Sequence, residues 1–119
     1  MKQDLNGFLP LAPAALHILL ALAPEDLHGY GIIQEVLRQS EGRYRLGPGT
    51  LYDNLQRLMN QGLVEEAGGR RPREQDSRRR YYRLSAAGRS VLAAEIARLE
   101  EVVRTARLHL GGARPRKAL

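Results

Sequence analysis

Three patterns in the chain predict a mainly α fold with a small β-hairpin and a long final helix. A proline-led segment, residues 48–62, carries apolar side chains on one side and polar types able to read base edges on the other. Two short alternating runs then flank an arginine-rich loop, and a heptad stripe follows toward the C-terminus. Helix, turn, helix and basic hairpin in that order define a winged helix-turn-helix, here extended by one C-terminal helix. A chain of 119 residues supports one such core. The expected division is residues 1–84 for the winged helix-turn-helix unit, 85–110 for a dimerisation helix and 111–119 for a disordered basic tail.

Residues 1–12 read as an irregular leader. Pro13 suits a first helical position, and Leu16, Ile18, Leu19, Leu20 and Leu22 make the helix over 13–23 apolar nearly all round, so it is expected to be buried. Pro24-Glu25-Asp26 ends it. A second helix over 29–39 places Tyr30, Ile33, Val36 and Leu37 at core spacing. Gly29 and Gly31 lower its local propensity, so packing must hold that end. After a turn over 42–47, Pro48 opens the third helix and Gly62 closes it as a left-handed cap. Leu51, Leu55, Leu58 and Met59 share its inner face. At about 100° per residue, Asp53, Arg57 and Asn60 point away, flanked by Thr50, Gln56 and Gln61.

Residues 63–67 and 79–84 are then expected strands joined by the wing loop 68–78. Tyr82 and Leu84 alternate with Tyr81 and Arg83, the period of a half-buried strand. Ser85 is a natural N-cap for the last helix, while Gly88 weakens its opening turn. In that helix Leu92, Ile96, Leu99, Val103, Ala106 and Leu110 are spaced 4-3-4-3-4, a heptad seam. Glu100 and Arg104 make an i, i+4 pair on its outer side. A small winged domain has little surface to cover so long a stripe. Pairing with a second copy is therefore expected, with packing on its own domain as the alternative.

The net charge of +6 is informative because it is localised. Between residues 70 and 83, seven arginines face only Glu74 and Asp76, a net +5 in fourteen residues. Alone, such a loop is also compatible with simple solvation; beside a polar-faced helix it is a footprint for a polyanion. The absence of cysteine excludes disulfides and thiolate metal sites. His17, His28 and His109 are widely separated and no carboxylate joins them at metal-ligand spacing. Gly29-Tyr30-Gly31 follows no predicted strand and is no phosphate loop. No enzyme, metal or cofactor is expected. The apolar stretch over 8–23 has a signal-like Ala21-Leu22-Ala23, but Asp4 offsets Lys2, and Pro10, Pro13 and His17 interrupt it. A buried first helix in a cytoplasmic protein without a membrane partner is the expectation.

With these residues placed, the chain resembles the PadR family of bacterial transcriptional regulators. Leu27-His28-Gly29-Tyr30-Gly31-Ile32, Gly49-Thr50-Leu51-Tyr52, Leu55-Gln56-Arg57-Leu58, Gln61-Gly62-Leu63-Val64 and Arg80-Tyr81-Tyr82-Arg83-Leu84-Ser85-Ala86-Ala87-Gly88 carry the likeness, which runs from about residue 12 to 108. The resemblance implies a homodimer with the third helix in the major groove and the wing near the minor groove or backbone. It also implies repression of transcription and release of DNA by a small-molecule effector. A single C-terminal helix is similar to the compact subgroup. Two residues depart from the pattern: Asp53 stands where the family often has proline, and there is no tryptophan of the kind on which some compact members stack planar drugs.

The residues expected at double-stranded DNA follow from side-chain chemistry. Arg78, Arg79 and Arg80 neutralise phosphates. Thr50 and Tyr52 donate to phosphate, although Tyr52 also suits a core-edge ring packed against the wing. Asn54, Gln56 and Arg57 address base edges, Asn54 from nearer the buried flank. Asp53 either accepts from cytosine N4 or caps the early helix. The competing function is a winged-helix protein-interaction module without sequence-specific DNA binding.

Overall fold

Proline-led starts and glycine or serine junctions delimit four helices and three strands in the computed structural model, which describes residues 5–67 and 80–111. After a 3-10 turn at Leu5–Phe8 come α1 (Pro13–Leu22), β1 (Leu27–His28), α2 (Gly29–Gln39), α3 (Pro48–Asn60), β2 (Val64–Glu66), β3 (Tyr81–Leu84) and α4 (Ala86–His109). Pro13 and Pro48 each stand at the first helical position, where the missing N–H is no loss. The leader is thus less irregular than its sequence indicates. Its apolar residues Leu5, Phe8, Leu9 and Leu11 pack on the core.

The sheet is antiparallel with order β1-β3-β2. β3 is central: Tyr81 pairs with His28 and Tyr82 with Leu27 on one side, while Val64 faces Leu84 and Glu66 faces Tyr82 on the other. The hairpin expected from sequence therefore gains a third strand. Two residues are too few to show a period of two, so β1 has no signature of its own.

Ile18, Leu19 and Leu22 of α1, Ile32 and Val36 of α2, and Leu51, Leu55 and Leu58 of α3 form the core with Leu63, Tyr82, Leu84 and Val91. The face of α2 differs from the expected one. Tyr30 is 64% exposed and Ile33 and Leu37 are half-buried, whereas Gly29, Ile32 and Val36 are buried. The buried face is turned by about one residue because the glycine, not the tyrosine, is what fits against α3.

Junctions are closed by specific hydrogen bonds. Gly62 adopts φ +78°, and the Leu63 N–H donates to the Leu58 carbonyl at 2.9 Å while the Gly62 N–H donates to Met59 at 3.0 Å. This is a Schellman cap. The Ser85 hydroxyl accepts from the Gly88 N–H at 2.9 Å and donates to the Gly62 carbonyl at 2.7 Å, tying the start of α4 to the end of α3. Gly88 is more than a weak opening turn. A Cβ there would lie 2.0 Å from the Leu63 carbonyl oxygen, so the bare Cα is what lets strand and helix meet. The His28 side chain caps α2 by accepting from the Gly31 N–H at 3.0 Å.

Two features of α4 differ from the heptad reading. Leu92 is 7% exposed and belongs to the chain's own core, not to an open seam. Arg104 pairs with Glu101, one turn away at i−3, instead of Glu100. Glu95 is a buried carboxylate on the inner side of the helix. It accepts from Arg98 Nε at 2.7 Å and Nη2 at 3.0 Å, and from the Leu11 N–H at 3.2 Å. The Arg98 guanidinium holds its carboxyl below the usual range, against the opposing effect of burial and with help from the Leu11 amide. The pair fixes the leader to α4.

Candidate nucleic-acid interface

The helix pair α2–α3 and the base of the β2–β3 hairpin present the residues singled out by sequence. Proline at the start of α3, leucines at i, i+4 and i+7 and the Gly62 cap fix its inner face; its outer face follows from geometry. Thr50, Tyr52, Asp53, Gln56, Arg57 and Asn60 are exposed, so one solvent-facing surface brings them together. Arg57 has no ion-pair partner among the described residues. Gln56 Nε2 donates to Asn60 Oδ1 at 3.2 Å, which aligns two amides along that surface.

Asn54 and Tyr52 are placed differently. Asn54 is half-buried and its Nδ2 donates to the Thr50 carbonyl at 2.9 Å, so its amide serves the helix itself. Tyr52 is 51% exposed, yet its phenol end rests on the backbone of α2 at Gly29. Burial pushes the Tyr82 phenol up, with the neighbouring Tyr52 and Glu66 adding to the rise and Arg80 opposing it. Tyr52 thus rests its phenol end on the start of α2.

At the hairpin base, Arg80 Nη1 lies 3.3 Å from Glu66. Arg83 Nε lies 3.3 Å from Glu65, and its Nη1 lies 3.9 Å from Asp26. These carboxylates temper the basic run on strand residues that a charge count over 70–83 leaves out. The pairs are exposed, and such pairs contribute little in water. Arg78 and Arg79 lie outside the described residues, as does the tail over 112–119.

The stripe residues fall into two groups. Leu92 is in the core, while Ile96 is 36%, Val103 46% and Leu110 73% exposed, with Leu99 half-buried and Ala106 exposed. Val102 and Leu108 add to the exposed apolar surface. A shallow groove along the far half of α4 is lined by Ile96, Leu99, Val103 and Leu108 with Glu100, Arg104 and Arg107. Among the described residues no cluster of His, Asp and Glu is arranged to hold a metal, and no helix is long and apolar enough to cross a membrane.

Sequence reasoning missed the His28 cap, the Gly29–Tyr52 contact and the Glu95–Arg98–Leu11 network. Glu95 alone had a visible signal, since it interrupts the inner face that Val91, Leu92 and Leu99 otherwise make apolar.

This geometry is that of a winged helix-turn-helix, the class of fold in which a polar helix face and a basic hairpin are offered to nucleic acid. Residues 18–94 match the model of the transcriptional regulator PadR-like family. The chain is 40% identical over 94 residues to transcriptional regulator Rv3488 of Mycobacterium tuberculosis, covering 78% of this chain and 81% of that protein. A PadR-like transcription factor structure from Bacteroides fragilis is similar with TM-score 0.63 and 30% identity, over 77% of this chain and 84% of the other. A PadR family transcription regulator from Clostridium difficile R20291 shares the fold with TM-score 0.70 at 22% identity, over 84% of this chain and all of the other. The chain belongs to the PadR-like family of transcriptional regulators.

Proposed function

We propose that this regulator is a sequence-specific repressor that binds double-stranded DNA as a homodimer in the cytoplasm and answers to a small-molecule effector. The observation that carries the reading is the outer face of α3, where Asp53, Gln56, Arg57 and Asn60 are exposed on a helix anchored by three buried leucines. Arg57 suits guanine O6/N7 and Gln56 suits adenine N6/N7, while Asp53 accepts from cytosine N4. Thr50 and the outer edge of Tyr52 border the backbone, and Asn54 acts through Thr50. Arg80, with Arg78 and Arg79, supplies phosphate contacts and salt dependence.

Support for the dimer comes from the far half of α4, where Ile96, Leu99, Val103, Ala106 and Leu110 form an apolar stripe beyond the chain's own core. A two-fold pairing there sets two α3 helices for half-sites about one helical turn apart. The place for an effector is between the paired final helices and α1. Repression and effector response rest on the family.

Selection from a pool of random duplex DNA at two salt concentrations tests the reading. A palindromic motif that survives the higher salt supports it. Weak, salt-sensitive binding without a motif overturns it in favour of a protein-interaction module built on the same fold.

A further inference from the structure

Gly29 and Tyr52 stand on different helices and meet more closely than any side chain at position 29 allows. A Cβ built on Gly29 would lie 2.1 Å from the Tyr52 hydroxyl oxygen and 2.9 Å from its Cζ, with Leu51 Cδ2 at an ordinary 3.4 Å. Gly29 is buried while Tyr52 is half-exposed, so the obstruction is the far end of one ring. Gly29 has no positive φ, in contrast to Gly42 and Gly62. Backbone conformation therefore gives no reason for glycine here, and the first turn of α2 would gain helical propensity from alanine. The remaining reason is the close approach itself.

We propose that Gly29 is a positioning residue for DNA recognition: its bare Cα is the seat of Tyr52, and any side chain there swings the ring outward across the DNA-facing surface of α3. The inference rests on the DNA-binding reading of that surface and names what keeps it clear. Tyr52 shares the exposed surface of α3 with its helical neighbours Asp53 and Gln56, while its phenol end is held at Gly29. Displaced from the seat, it has solvent on its outer side and the groove-facing residues next to it.

The test is a double-mutant cycle on the full chain with Gly29→Ala, Tyr52→Leu and the double variant. Urea unfolding and binding to the selected duplex and to random duplex are measured for each. Gly29→Ala is expected to lower the unfolding midpoint and to weaken specific binding about tenfold, the scale of one lost base contact, with a smaller effect on random duplex. In the Tyr52→Leu background there is no ring to displace, so the same substitution is expected to raise the midpoint and to cost no further affinity. An equal cost of Gly29→Ala in both backgrounds overturns the seat. Coupling in unfolding with unchanged specific binding overturns the positioning role. If the wild-type chain selects no motif, the DNA reading fails on its own account and the positioning role falls with it, while the unfolding cycle alone decides the seat.

Discussion

Up to Glu95, α4 is a core helix. Gly88, Val91, Leu92 and Glu95 are all buried, and the last of these holds the leader through the Leu11 amide. From Glu100 to His109 every residue is exposed, although the apolar spacing continues without a break. One helix with one stripe thus has two fates. Heptad spacing reports that a face is continuously apolar; it does not report which body covers it. The changeover falls where the body of the domain ends, at Glu95 and Ile96.

The sharpest way to break the near half is at its root. Gly88→Ala sets a Cβ against the Leu63 carbonyl, a backbone atom that cannot swing aside, and is expected to lower the unfolding free energy by about 4 kcal/mol in urea titration. A loss below about 1 kcal/mol would mean that the strand retreats freely and the junction is not tight.

Next, Leu92→Ala and Val103→Ala separate the halves. Leu92→Ala is expected to cost about 3 kcal/mol at every protein concentration, as for a core leucine. Val103→Ala is expected to matter only where copies associate, shifting the dimer midpoint in sedimentation and leaving dilute-solution unfolding nearly unchanged. Equal costs in dilute solution would show both halves covered by the same chain.

Glu95→Gln tests the boundary and is expected to cost about 2 kcal/mol at neutral pH, through weakened charge-assisted hydrogen bonds. Because Arg98 holds the folded carboxyl below its usual range, the folded state binds that proton less well than the unfolded chain. The stabilisation is full above the ordinary carboxylate range and is lost as pH falls through it toward the lowered folded value. Wild-type and Glu95→Gln unfolding curves should therefore converge on acidification. A gap that stays constant with pH would assign Glu95 a packing role only.

Elements governed by local rules were legible in the sequence. Pro48, the leucines of α3 and Gly62 define that helix and its cap, and Ser85 marks the start of α4, because proline, periodicity and capping act within a few residues. Elements governed by contact were not. Tyr30 has the spacing of a core residue, but Gly29 is what α3 accepts. β1 exists through pairing with β3, and the carboxylates that meet Arg80 and Arg83 come from the neighbouring strand and from Asp26. The outer face of α3 was readable as a set of residues, whereas the inward turn of Asn54 and Tyr52 depends on atoms that no sequence window contains.

β3 lies between two partners, and the residue opposite Tyr81 in that ladder is His28, which also caps α2. The two rings meet edge to face, their centroids 5.3 Å apart. Strand β3 and the entry of α2 consequently meet at one residue, since the imidazole that caps the helix also packs on Tyr81. The cap requires an Nδ1 lone pair for the Gly31 amide, since a doubly protonated ring offers two donors and no acceptor. With Nδ1 accepting, the ring proton resides on Nε2, and the neutral imidazole is the form that both caps α2 and packs on Tyr81.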